Sequence, residues 1–229
     1  MTRQQFWGLI NTRGESNDKA WELVVLVTAH LAGSLFVNNL AKGLLQINHA
    51  GVREFTKGLY WTYSFLAMGP VPLRLIMSGV IVLLAIRLWQ GRSVRLGCDI
   101  LGSILCVRCL MELLVMNLLL VAPLKNGALL LIQLILFLPV VIINFGWLYW
   151  RWDHFSRIQG KPQIKFEEEQ PDAFDYFHIS INTLLQFEPS GAKPLSKRMK
   201  ALFNIHGVVM MDLVALTLSR AIGLATGGG

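Results

Sequence analysis

The chain has 229 residues, of which 54% are hydrophobic and 15% charged, and its mean hydropathy is +0.51. Soluble domains carry about 25% charged residues, so this composition excludes an ordinary soluble domain and points to a membrane protein. The net charge of +7 is the kind that loop topology and anionic lipid contact produce in a polytopic membrane protein, and no RNA- or DNA-binding pattern accompanies it.

Residues 1–19 are polar and lack an apolar core followed by a small-residue cleavage site, so no secretory signal peptide is expected. About 20 apolar residues are needed to cross a bilayer as a helix. That criterion selects Trp21–Leu45, Leu73–Trp89, Gly97–Val121, Gly127–Trp150 and Ala201–Leu224. A sixth apolar run, Gly58–Met68, is cut off by Gly69-Pro70-Val71-Pro72 and is too short to span, so it reads as an interfacial or half-inserted helix. Tyr60, Trp61, Tyr63, Trp89, Trp147, Tyr149, Trp150 and Trp152 sit near the ends of these runs, as amphipathic rings do at headgroup level. The expected architecture is an all-α polytopic membrane protein with about five transmembrane helices. It divides into an N-terminal three-helix membrane region (1–122, with the interfacial helix near 58–68), a C-terminal hairpin (123–226) and a glycine tail (227–229).

The hairpin holds the most distinctive pattern. Pro171-Asp172 suits a helix start, with the aspartate accepting from free backbone N–H groups. Phe174, Phe177, Ile181, Leu184 and Leu185 then recur at helical spacing, with His178, Ser180 and Asn182 on other faces. This helix is shorter than a span. It is expected to dip into the membrane and turn back through Phe187–Pro194, which makes it re-entrant, before Ala201–Leu224 crosses. Lys and Arg gather before the first span, at Arg92 and Arg95, and between Arg151 and Lys200. The positive-inside rule therefore predicts a cytoplasmic N-terminus and a cytoplasmic 151–200 loop.

Charges at bilayer depth cost roughly 2.5–3.5 kcal/mol on insertion scales, so each is a candidate site. Arg108 and Glu112, four residues apart in the third span, are spaced for an intramembrane ion pair that is either structural or part of an ion pathway. Asp212 and His206 in the last span are inner-helix pathway candidates; for Asp212 a buried carboxylate, hydrogen-bonded or paired to Arg108, is the alternative. His30, Ser34 and Asn38 share a face and suit interhelical hydrogen bonding. Cys98, Cys106 and Cys109 lie in one span without further ligands, so they read as buried free thiols; no metal site and no cofactor are expected.

The residues Tyr176-Phe177-x-x-Ser180-x-x-Thr183-Leu184, then Pro194-Leu195 and a long helix ending Ser219-Arg220-x-x-Gly223-Leu224, resemble the pore helix and inner helix of the potassium-channel pore-loop superfamily. The similarity is greatest to an uncharacterised family of bacterial integral membrane proteins with a degenerate pore-loop hairpin, in which Arg198-Met199 and His206 fall where that family has a basic stretch and a histidine. It covers Gly127–Leu224 and makes the fourth span the outer helix. Thr183-Leu184-Leu185-Gln186 and Pro194-Leu195-Ser196 also resemble ionotropic glutamate receptors, whose pore loop enters from the cytoplasm.

The resemblance implies a filter over Thr183, Leu184, Leu185, Gln186, Phe187 and Glu188, without the glycines that a potassium filter's carbonyl ladder needs. Glu188 and Gln186 then form an acidic and amide ring favouring cations. The expectation is a channel-like, cation-conducting homo-oligomer, by analogy a tetramer, in the lipid bilayer of a bacterial inner membrane. The alternative is a non-conducting scaffold or accessory subunit that associates with unlike membrane subunits. An enzyme acting on lipid through Asp153, His154 and His178 has no triad or metal spacing behind it, so the chain is not expected to be an enzyme.

Overall fold

The computed structural model describes residues 20–34, 40, 43–44, 53–66, 71–121, 127–166, 171–186 and 191–226. Seven helices and one short ladder are defined among them. In chain order these are α1 (Ala20–Ser34), α2 (Arg53–Leu66), α3 (Val71–Trp89), α4 (Arg95–Val121), α5 (Gly127–Ile158), β1 (Ile164–Phe166), α6 (Ala173–Gln186), β2 (Ala192–Pro194) and α7 (Lys197–Ala225).

Two helices are long and apolar enough to cross a membrane, α5 over Ala128–Ile158 and α7 over Lys197–Ala225. The expected spans at Leu73–Trp89 and Gly97–Val121 also fall on helices, α3 and α4; α4 carries Arg95, Asp99, Arg108 and Glu112 along its length. Of the expected first span, α1 covers the first half, and most of the rest lies outside the described residues. The short run expected at 58–68 is a helix that begins earlier, at Arg53, and buries Thr56, Leu59 and Tyr63 while Phe55, Trp61 and Phe65 stand exposed. Large apolar side chains are exposed along most helices: on α3 Leu75, Ile76, Val80, Val82, Leu83 and Ile86 all face outward. Exposed apolar surface of that extent fits a hydrocarbon surrounding.

The core sits where α4, α5, α6 and α7 meet. Phe137, Val141 and Tyr149 of α5 are fully buried with Met116 of α4 and Met210 and Leu213 of α7. Contacts also fix the direction of each helix. Glu22 near the start of α1, Asp99 near the start of α4 and Arg151 near the end of α5 meet in one ion cluster. The backbone N–H of Leu195, just before α7, donates to Gln163 O just beyond α5. One end of the bundle thus collects the starts of α1, α4 and α7 and the end of α5.

Small residues let these helices approach closely. A Cβ at Gly146 on α5 would lie 2.5 Å from the Phe177 ring on α6, and one at Gly102 on α4 would overlap the Trp147 ring on α5. The Trp147 ring is held by a hydrogen bond from Nε1 to Glu22 Oε1 at 3.1 Å, so it cannot retreat freely, whereas Phe177 is only half-buried. Gly102→Ala is therefore expected to lower the thermal midpoint in mild detergent, because overpacking of ~1–3 kcal/mol exceeds the ~1 kcal/mol gained in helix propensity. Gly146→Ala should cost less; equal midpoints for Gly102→Ala and the parent chain would contradict this packing.

Candidate functional site

The C-terminal hairpin is built from α5, α6 and α7. Asp172 opens α6 by accepting from the backbone N–H groups of Phe174 (2.7 Å) and Asp175 (3.2 Å). Asp175 returns a contact by accepting from Asp172 N at 2.6 Å, a reciprocal cap. Ser196 caps α7, its Oγ accepting from Met199 N at 3.2 Å. β1 and β2 pair antiparallel, Ile164 opposite Pro194 and Phe166 opposite Ala192. The ladder ties the segment entering α6 to the segment leaving it, so the 14-residue α6 begins and returns at the same end of the bundle.

The inward face of α6 is Tyr176, Ile179, Ser180 and Thr183, the i, i+3, i+4, i+7 stripe. The apolar positions singled out in the sequence lie elsewhere: Phe174 and Leu185 are exposed, and Phe177, Ile181 and Leu184 half-buried. The inward hydroxyls each have a partner inside the chain. Tyr176 donates to Asp153 Oδ2 at 2.8 Å, Thr183 Oγ1 donates to Ile179 O at 2.9 Å, and Ser180 Oγ lies 3.4 Å from His206 Nε2.

Asp153, wholly buried near the end of α5, is the hub of this arrangement. Its Oδ1 accepts from the backbone N–H groups of Gln163 and Ile164, and its Oδ2 accepts from Arg157 Nε and Nη2 and from the Tyr176 hydroxyl. Arg157 Nη2 also donates to Ile164 O at 2.6 Å. One carboxylate thus binds its own helix, the start of β1 and α6. Burial, with the Asp153 carboxylate beside it, pushes the Tyr176 phenol well above its ordinary value, so it remains a donor at neutral pH.

His206 closes the other side. Its Nδ1 is 2.8 Å from the Tyr149 hydroxyl, and its ring stacks on Phe145 with centroids 4.0 Å apart and planes 7° apart. It is fully buried among α5, α6 and α7. Asp212 is half-buried one and a half turns further on and accepts from Asn117 Nδ2 of α4 at 2.7 Å; its partner is Asn117 rather than Arg108.

Of the filter candidates, Thr183 is buried, Leu184 half-buried, and Leu185 and Gln186 exposed at the end of α6; Phe187 and Glu188 lie outside the described residues. Arg108 and Glu112 form the expected pair, Nε to Oε1 at 2.8 Å, almost wholly buried, and His30 Nδ1 lies 3.5 Å from Arg108 Nη1. Ser34 instead donates to Leu31 O of its own helix, and Asn38 lies outside the described residues. Cys98 and Cys109 are buried, Cys106 is half-buried, and all three are free thiols. Among the described residues no three His, Cys, Asp or Glu side chains converge as a metal site would require. His154 stacks on Trp150 and His178 lies 3.0 Å from Asn182, so neither joins Asp153.

Two residues that carry much of this geometry, Asp153 and Arg157, stand out only weakly in the sequence. The available signal was the i, i+4 spacing of Asp153 and Arg157 at the end of an apolar run. Comparison of the chain with protein-family models, with curated protein sequences and with solved structures returned no match.

Tyr176→Phe removes one hydrogen bond to a charged group and is expected to cost ~1.5–3 kcal/mol. Asp153→Ala should cost more and, in hydrogen exchange, strip protection from the backbone N–H of Ile164 while Tyr176→Phe leaves it protected. Within the buried bundle, Arg108→Met or Glu112→Leu alone strands a buried charge and should cost ~3–5 kcal/mol. The double variant is expected to recover much of that loss in a thermal or denaturant titration; additive losses would show that the pair is not coupled.

Proposed function

We propose that this chain is a channel-like integral membrane protein, that α5, α6 and α7 form a pore-loop hairpin, and that four copies surround a cation path with residues 183–188 at its constriction. One observation carries the reading: a helix of 14 residues lies between two helices of membrane length, and the β1–β2 ladder brings the segment before it and the segment after it to one end of the bundle. At ~1.5 Å per residue such a helix reaches ~21 Å, short of the ~30 Å hydrocarbon core. Irregular backbone at its tip is tolerated where it is buried in protein or lines a water-filled cavity.

Electrostatics favour cations at that tip. The C-terminal end of α6 presents the negative end of its helix dipole, Gln186 is exposed there, and Glu188 follows two residues later in sequence. The basic residues support a single orientation. Arg92, Arg95, Arg157, Lys161, Lys165, Lys193, Lys197, Arg198 and Lys200 all belong to the segments gathered at one end of the bundle. By the positive-inside rule that end is cytoplasmic, in a bacterial inner membrane, with five spans. The role is conduction across the bilayer rather than catalysis.

A second reading, a non-conducting subunit of a larger membrane complex, is favoured by one feature. Ser180, Thr183 and His206 are fully buried and satisfied within the chain, so these polar groups of the hairpin are not available to ions.

The number of chains per particle in nanodiscs, read by native mass or projection symmetry, separates the two. Four identical chains around an axis are expected, together with cation flux in liposomes that falls in Glu188→Gln without a change in assembly. A single chain, or association with unlike chains, would leave no axis and favour the second reading.

A further inference from the structure

We propose that the cleft between α4 and α5 at the basic end of the bundle binds the phosphodiester headgroup of an anionic phospholipid. The inference rests on the membrane reading of the chain but not on conduction, so chain number and flux leave it untouched.

The cleft has a volume of about 430 Å³, and Arg95, Asp99, Trp147, Arg151, Trp152 and Phe155 line it. Two guanidinium groups crowd one aromatic ring: Arg95 Cζ is 3.8 Å and Arg151 Cζ 4.2 Å from the Phe155 centroid. Two cations on one ring raise the local positive potential, which a bound anion offsets. The Asp99 carboxylate is engaged with Arg151. Arg95 is exposed and makes no ion pair among the described residues. Arg151 is 5% exposed, yet its Nη1 has no hydrogen-bond partner among them; it sits 3.3 Å from Glu22 Oε1 outside hydrogen-bond geometry. Asp99 and Glu22 are thus both turned to Arg151, and the donor capacity left over lies on the exposed Arg95 and on Arg151 Nη1. A phosphate offers acceptor oxygens suited to two guanidinium forks.

An amphiphile fits better than a free anion. Leu148 and Cys106 also line the cleft, and Ile100 and Val107, exposed on α4, continue an apolar surface suited to acyl chains. Trp152 is 44% exposed beside the mouth, in keeping with headgroup depth.

The test is native mass spectrometry of the delipidated full chain, titrated with phosphatidylglycerol, phosphatidylcholine or glycerol phosphate. One retained phosphatidylglycerol per chain is expected, with weaker phosphatidylcholine binding and no retained glycerol phosphate. Arg95→Gln should weaken phosphatidylglycerol about fivefold, the ~1 kcal/mol typical of one basic residue at an anionic surface. Arg92→Gln, an exposed basic neighbour outside the cleft, should leave it unchanged. Equal affinity for the two lipids, or equal losses in the two variants, would overturn the site. Glycerol phosphate bound as tightly as phosphatidylglycerol would make the ligand a soluble phosphate and overturn the lipid assignment.

Discussion

A polar group surrounded by hydrocarbon must find its partner inside the protein, and the buried Asp153 carboxylate is where this chain meets that demand most fully. Its two oxygens accept five hydrogen bonds, from two backbone N–H groups, both donors of the Arg157 fork edge and the Tyr176 hydroxyl. A buried charge is tolerable only when paired and hydrogen-bonded. Here the satisfaction comes from the elements the fold has to bring together: the end of α5, the start of β1 and the inward face of α6. The position of α6 therefore follows from the solvation of one carboxylate as much as from packing.

The same rule explains the orientation of α6. In water, its apolar stripe would turn inward and its hydroxyls outward. Here Tyr176, Ser180 and Thr183 turn inward because Asp153, His206 and the Ile179 carbonyl receive them, and Phe174 and Leu185 are left exposed. The cluster of Glu22, Asp99 and Arg151 repeats the pattern at the level of whole helices, joining α1, α4 and α5 through charges.

Local signals in the sequence were enough to place the helices. The apolar runs at Gly127–Trp150 and Ala201–Leu224 fall on α5 and α7, Asp172 caps α6 as its spacing suggested, and Arg108 and Glu112 meet at the i, i+4 distance. What was illegible is what depends on partners remote in sequence. The inward stripe of α6 could not be chosen without knowing that Asp153 and His206 wait opposite it. Nor could Asp212 be assigned to Asn117, which is 95 residues away. Periodicity reports how apolar each face is; which polar face is satisfied depends on chain segments that periodicity does not connect.

The bonds that lock the hairpin span short stretches of chain: 23 residues between Asp153 and Tyr176 and 57 between Tyr149 and His206. The tie from Trp147 to Glu22 closes a loop of 125 residues. Because the entropy of closing a loop grows with its length, the hairpin closes at a lower cost than the tie from Trp147 to Glu22. These bonds lie within one chain, so the hairpin can form once α7 follows α5, without a neighbouring copy to template it. Assembly then joins preformed hairpins, and the biogenesis of any oligomer is a docking problem rather than a coupled folding one.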